Sequence, residues 1–324
     1  MHLPSLSPLD SRLVLPKPIE ETPHDVVGEL ADRGHLIIER KRNGHAAPVA
    51  ITGDKTDPVG IYSRSIKVLT SKFPHHVEAV RALSIPPGTL LQGEFTLAEK
   101  GVENPALITR IAGSKAERAV VIQNEIGVPT LSFFNVLVYR GESVAHLPYL
   151  DRLDIVRQLC QQSDTPLVEV VEVLETSLEK AQALSIKNNW EGLVLYDAGA
   201  PTRFDLSGKS DQPPRPYGCW KWKDYNEGDF VATGWLPSTS KKFKGLVRDL
   251  KIAQRNPVTG ALESWGKVGV GLSAKERAEF TDVALYPMVF EIKFESRTKN
   301  KRLIAARILR RRSDKEPHEC FAPY

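Results

Sequence analysis

The sequence predicts an α+β protein, with antiparallel strands and flanking helices over its longer N-terminal part and a small Greek-key barrel of the OB type after them. Three observations predict it. Apolar or alternating runs of strand length, bounded by turn residues, recur along the whole chain. Helical periodicities are interspersed with them up to about residue 226; beyond that, five short strands and a single helix follow in about a hundred residues, the pattern of an OB barrel. A chain of 324 residues is also too long for one compact core and too short for four, so two unequal domains are expected, 1–226 and 227–324.

In chain order, residues 1 to about 20 are Pro-rich and read as an extended lead-in. HDVVGELAD (24–32) gives a short amphipathic helix, and HLIIERKRNG (35–44), APVAITG (47–53) and VGIYSRS (59–65) are short strands separated by turns. FPHHVEAVRAL (73–83) is helical. TLLQGEFTL (89–97) is a strand whose central Gly93 costs stability in a buried sheet unless something approaches the backbone there. PTLSFFNVLVYRG (129–141) is a long β-rich run, while YLDRLDIVRQLCQ (149–161) and SLEKAQALSIK (177–187) are helices for a sheet to pack against. WEGLVLYD (190–197) is a strand carrying a Glu, Ala198 to Gly218 is a loop rich in Pro, Gly and Ser, and WKWKDY (220–225) is again a strand. The second domain is built from DFVATGWLP (229–237), LVRDLKIAQ (246–254), SWGKVGVGL (264–272), MVFEIKFES (288–296) and ARILRRRSD (306–314), with SAKERAEF (273–280) as its helix.

Hydrophobic residues make up 41% and charged residues 26% of the chain, a globular composition without low-complexity tracts. The formal charge is only +4, but the basic residues cluster in STSKKFKG (238–245) and in KFESRTKNKRLIAARILRRRSDK, which suits either a solvated face or a nucleic-acid surface. Cys160, Cys219 and Cys320 lie far apart with no CxxC pair, so neither a disulfide framework nor a structural zinc site is expected, and a reducing, cytoplasmic setting is. The N-terminus lacks the charged-then-apolar pattern of a signal peptide, and no apolar run is long enough to span a bilayer.

Lys41 has two readings. Asn43-Gly44 after an apolar strand signals a β-hairpin, in which Lys41 is an ordinary neighbour. Alternatively Lys41 is a covalent nucleophile at a strand end, with Arg40 and Arg42 beside it to lower its pKa. The stretch alone favours the hairpin. What changes the balance is the order of Lys41, Gly93-Glu94, an aromatic run at Phe133-Phe134, Glu191-Gly192 and Lys221-Trp222-Lys223. A nucleophile, two acids on different strands, a stacking ring and two lysines alternating on one strand face are the parts that nucleotidyl transfer needs.

With these motifs in sequence, nearly the whole chain resembles the ATP-dependent DNA ligases of the covalent nucleotidyltransferase superfamily. KRNG resembles the family's KxDG motif, YSR its serine-arginine element, LLQGEF its GE motif and SFFNVLVYRG its aromatic motif. WEGLVLYD resembles EGxV, WKWK the KxK motif, and RSDK the C-terminal RxDK. The resemblance implies an adenylation (nucleotidyltransferase) domain followed by an OB domain, in a minimal two-domain ligase that uses ATP and Mg²⁺. Such an enzyme seals nicked duplex DNA in replication, repair or recombination, and is expected here as a monomer. It further implies that Lys41 carries AMP, Glu39 reads the adenine amino group, and Arg64 and Glu94 contact the ribose and the nick-side phosphate or metal. Phe134 matches the ring stacking on adenine, Phe133 facing the core instead. Glu191, like Glu94, matches a metal-binding carboxylate, Lys221 and Lys223 the α-phosphate pair, and Arg312, Asp314 and Lys315 the motif that orients pyrophosphate. Lys241, Lys242 and Lys244 are candidates for gripping DNA. Asn43, Ala46 and Tyr196 depart from the family's usual Asp, Arg and Lys, with Arg42 or His45 as candidate substitutes for the missing Arg. An RNA ligase and an mRNA-capping guanylyltransferase share parts of this pattern, and a non-catalytic OB module would account for the basic C-terminus alone.

Overall fold

The computed structural model describes residues 17–18, 26–65, 67–161, 165–202, 218–298 and 300–323. Most of the expected lead-in and of the Ala198–Gly218 loop lies outside them. The chain forms two compact units, 1–222 and 223–324.

The first unit contains helices α1 (Val26–Asp32), α2 (Pro74–Ala82), α3 (Pro105–Ala112), α4 (Ala116–Ile126), α5 (Tyr149–Cys160) and α6 (Leu178–Lys187). Its principal strands are β1 (Leu36–Lys41), β2 (His45–Ala46), β3 (Val49–Ile51), β4 (Val59–Ile61), β5 (Thr89–Thr96), β6 (Thr130–Tyr139), β7 (Val168–Val170), β8 (Gly192–Asp197) and β9 (Cys219–Trp222). They make two sheets. In one, β8 lies antiparallel between β9 and β1, and Lys17–Pro18 pairs parallel with β9. In the other, β6, β5, β3 and β4 run side by side, with β2 pairing β5 and β7 running parallel to β6.

Strand alternation divides the first sheet cleanly. Ile38, Leu193, Leu195 and Trp220 pack with Val27 of α1 and Ala181 of α6 into one buried cluster. The residues between them, Glu39, Lys41, Tyr196 and Lys221, therefore fall on the opposite face. In the second sheet Leu91, Phe95, Leu131, Phe133 and Val136 form the main core with Val80, Ile108, Ile111 and Ile122 of α2 to α4. Phe95 stacks on Phe73 with ring centroids 4.1 Å apart. Gly93 is needed because a Cβ there would crowd the side chains of Phe133 and Leu131, at 2.9 and 3.0 Å; what approaches this backbone is the core itself.

Helices α3 and α4 were not anticipated by the strand and helix periodicities above. The start of α3 is nevertheless encoded: Asn104 accepts from the Ala106 N–H and Pro105 opens the helix, an N-cap followed by proline at the first turn. The Asn43-Gly44 turn corrects the hairpin reading. β1 pairs with β8 and β2 with β5, so this turn carries the chain from one sheet to the other. Gly44 is required by a close approach, since any Cβ would collide with the Phe95 carbonyl.

The second unit holds β10 (Asn226–Pro237), β11 (Val247–Arg255), β12 (Leu262–Val268), α7 (Ala274–Glu279), β13 (Met288–Phe294) and β14 (Arg307–Arg311). These five strands form one antiparallel sheet in the order β12-β11-β10-β13-β14. Phe230, Leu250, Ile252, Phe290, Ile292 and Ile308 fill its core. Among the described residues no ladder joins the two edge strands, but the Ile308 N–H of β14 donates at 2.9 Å to the carbonyl of Val270, just past the end of β12. A Ser273/Glu276 capping box starts α7.

Gly44→Ala tests the crossing turn. It should destabilise the protein by about 1–3 kcal/mol, the usual scale for overpacking, seen as a lower denaturant midpoint with an unchanged slope.

Candidate active site

Lys41 ends β1 directly opposite Gly192 of β8. That pairing sets its Nζ 2.5 Å from Oε2 of Glu191, the residue that leads into β8, with the Arg42 carbonyl 3.4 Å away. Glu94 comes from the other sheet. Its Oε1 accepts from the Gly44 N–H at 2.9 Å, so the crossing turn links the second acid to the lysine strand. Burial pushes the Glu94 carboxyl up to about 7, against the field of Lys41 and with that of Glu191 adding to it. Lys41, Glu191 and Glu94 thus share one electrostatic site.

Glu39 lies two residues before Lys41 on the same face and is 2% exposed. Burial pushes its carboxyl up to about 8, in spite of the hydrogen bond that the Tyr149 hydroxyl donates to its Oε1. The same hydroxyl is 3.1 Å from the carbonyl of Phe134. Tyr149 and Tyr196 are stacked, centroids 3.7 Å apart and planes 6° from parallel, and Phe134 packs in the cluster they form. Phe133 is fully buried in the main core, as alternation on β6 requires. Arg152, 2% exposed, supports the group from behind: its acceptors are neutral, Asn135 Oδ1 at 3.0 Å and the carbonyls of Leu147 and Ala200.

Arg40 and Arg42 do not act as bare cations beside Lys41. Both pair with Glu103 Oε1, at 2.9 and 2.8 Å, and Arg42 also meets Glu169. Glu103 Oε2 accepts from the Asn43 N–H at 2.8 Å, so one buried carboxylate gathers the whole turn after the lysine. Arg42 is thus engaged by two carboxylates, and His45 shares a hydrogen bond with Thr109 at 2.9 Å.

Lys221 sits on β9 opposite Val194, in the same cross-strand row as Glu39. The strand ends at Trp222, and Lys223 follows it in the second unit, where its Nζ is 2.6 Å from Glu295. Arg64 is exposed in a turn and makes no hydrogen bond or ion pair among the described residues.

In the second unit, Asp229 on β10 collects the RSDK segment. Arg312 lies 3.1 Å and Lys315 2.6 Å from its carboxylate, and Arg312 also pairs with Asp314 at 2.9 Å. The Arg312 guanidinium holds the Asp314 carboxyl down at about 2. Lys241, Lys242 and Lys244 are exposed and make no ion pair among the described residues, whereas Lys301, Arg310, Arg311 and Arg312 each do. Glu103, Tyr149 and Asp229 were missed by sequence reasoning; no local spacing marks them, because each acts on a residue from a distant strand.

The ATP dependent DNA ligase domain model matches residues 17–205. The chain belongs to that family. It is 27% identical over 258 residues to a "Probable DNA ligase" of Sorangium cellulosum, covering 79% of this chain and 45% of that protein. It is 24% identical over 325 residues to "DNA ligase 2" of Methanosarcina mazei, covering 91% and 55%. The chain therefore spans about half the length of the curated relatives it matches. A solved structure described as a structure-function analysis of Lig E DNA ligases superposes with a TM-score of 0.64 at 19% identity, over 93% of this chain and 98% of that one, a likeness of fold. The nucleotidyltransferase-plus-OB architecture expected for an ATP-dependent ligase is accordingly the architecture of this family member, with the second-unit sheet left without a closing ladder among the described residues.

Glu103→Gln should loosen the turn that follows Lys41. A lost charge-assisted hydrogen-bond acceptor predicts destabilisation of about 1–3 kcal/mol in denaturant unfolding, and faster amide exchange at Asn43.

Proposed function

We propose that this chain is an ATP-dependent DNA ligase, sealing 3′-hydroxyl/5′-phosphate nicks in duplex DNA through an AMP carried on Lys41. The observation that carries the proposal is the Lys41–Glu191 pair, set at 2.5 Å in a site that also holds Glu94 and whose buried end is lined by Glu39, Tyr149 and Phe134. Lys41 Nζ must shed a proton before it can attack, and Glu191 Oε2 is the acceptor at hand. Nζ then forms a bond to the α-phosphorus of ATP while the bond to the bridging oxygen breaks and pyrophosphate leaves. AMP passes from Lys41 to the 5′-phosphate of the nick, and attack by the 3′-hydroxyl releases it.

Glu39 would accept from the 6-amino group of adenine and Phe134 would stack on the ring, with Arg64 at the ribose. Lys221 and Lys223 would offset charge on the α-phosphate. Arg312, Asp314 and Lys315 would orient the departing pyrophosphate, drawing Arg312 and Lys315 away from Asp229. Glu94 and Glu191 fit a divalent cation: they supply two hard carboxylate oxygens, and a cation would relieve the burial and mutual repulsion that raise Glu94. Mg²⁺ held there would neutralise developing phosphate charge. We assign the same working setting to the whole protein as to its free, buried cysteines, a reducing cytoplasm, and a monomeric form.

Lys41→Ala should abolish covalent label from radioactive ATP yet retain measurable sealing of a pre-adenylylated nick. Undiminished labelling of the variant would reject Lys41 as the carrier.

Grip on DNA is expected to rest on Lys241, Lys242 and Lys244, whose charge no carboxylate among the described residues answers. Neutralising all three should make the dependence of nick binding on salt shallower by about two to three counterions, leaving Lys41 labelling intact. Binding measured by fluorescence anisotropy across a salt series with an unchanged slope would move the DNA path elsewhere.

A further inference from the structure

The Tyr149 hydroxyl touches both parts of the site that would meet a base. It donates to Glu39 Oε1, and it lies 3.1 Å from the carbonyl of Phe134. Its ring cannot swing away, because it is stacked on Tyr196 at 3.7 Å and lies against the guanidinium of Arg152, 5.6 Å from the ring centroid. Arg152 is in turn fixed by three neutral acceptors on β6 and two loops. The phenol is thus a rigid strut from α5 that sets where Glu39 points.

A carboxyl can read a base edge in two opposite ways. Ionised, it only accepts hydrogen bonds; protonated, it also donates one. A purine 6-amino group needs an acceptor, and a 6-oxo group needs a donor. Burial favours the protonated form of Glu39. A hydroxyl that donates to the carboxyl favours the ionised form. The other charged or titratable groups around Glu39 are Arg157 of α5, which also favours ionisation, Tyr196 of β8, and Cys219 and Lys221 of β9. The direct hydrogen bond to Glu39 comes from Tyr149.

We infer that Tyr149 is a specificity-determining positioning residue, which holds Glu39 as a hydrogen-bond acceptor and so selects a 6-amino over a 6-oxo purine nucleotide. The inference rests on the nucleotide reading of this site proposed above. It assigns Tyr149 no contact with the substrate: the residue acts through Glu39. Because ionised Glu39 is the selective form, preference for the 6-amino nucleotide should rise as pH passes upward through the titration of Glu39, and weakening the Tyr149 bond should shift that rise to higher pH.

The test is covalent labelling of the full chain by ATP and, separately, by inosine triphosphate, which carries a 6-oxo group, from about pH 6 to about pH 9.5 across the Glu39 titration. In Tyr149→Phe, which keeps the stacked ring, the ATP-over-inosine preference in kcat/KM at neutral pH should fall about tenfold, and the pH at which it recovers should move up. In Glu39→Gln, whose amide does not titrate, the preference should be flat with pH, and adding Tyr149→Phe should not restore any slope. Tyr149→Phe with the wild-type preference and pH profile would overturn the inference, as would equal losses for both nucleotides. Should Tyr149→Phe not fold, Glu39→Gln decides alone: a wild-type rise of preference with pH in that variant overturns it. Absence of label on the wild-type chain from either nucleotide would instead reject the ligase reading on which the inference stands.

Discussion

The antiparallel pairing of β1 with β8 is the constraint on which the first unit depends. It sets Lys41 against Gly192, and by doing so brings Glu191 within 2.5 Å of the lysine. Because strand side chains alternate, the same register sends Ile38, Leu193 and Leu195 into the helices and leaves Glu39, Lys41 and Tyr196 on the other face. A slip of one residue would exchange the two faces, burying the lysine and exposing the core. The hydrophobic burial that stabilises the sheet therefore also specifies the face that carries Lys41 and Glu39.

The second sheet contributes by the turn that leaves Lys41. Asn43-Gly44 transfers the chain to β5, where Gly44 binds Glu94, and Glu103 holds the Asn43 N–H together with Arg40 and Arg42. Four carboxyls, at positions 39, 94, 103 and 191, converge on a few residues of chain. Two are answered by cations, Glu103 by arginines and Glu191 by Lys41, while burial leaves Glu39 and Glu94 with raised pKa values near neutrality. An acid buried without an ion-pair partner is expensive, which is why Glu39 is met by the Tyr149 hydroxyl and Glu94 by the Gly44 N–H.

Some of this was legible from residue order. The five strands and helix of the second unit, the strands carrying Lys41, Glu94 and Phe134, the strand that Glu191 leads into, and the division of Phe133 and Phe134 between opposite faces all follow from period-two alternation and turn residues. The hairpin at Asn43-Gly44 did not survive, because a turn signal states that the chain reverses and not which strand it next pairs with. Helices α3 and α4 were missed, although Asn104-Pro105 marks the start of α3 and its sequence, PALITRIA, is strongly apolar.

By itself the sequence determined the kind and order of the parts: which segments are strands, which side of each is apolar, and which chemical groups lie at strand ends. Tertiary structure alone decided the partners. Lys41 finds a carboxylate 150 residues away, Tyr149 reaches Glu39 across 110, and Asp229 gathers Lys315 across 86. Local periodicity cannot encode such pairs, because it reports only the conformation of neighbouring residues. The contacts arise from sheet register and from which sheet each strand joins, and these are set by burial summed over the whole fold.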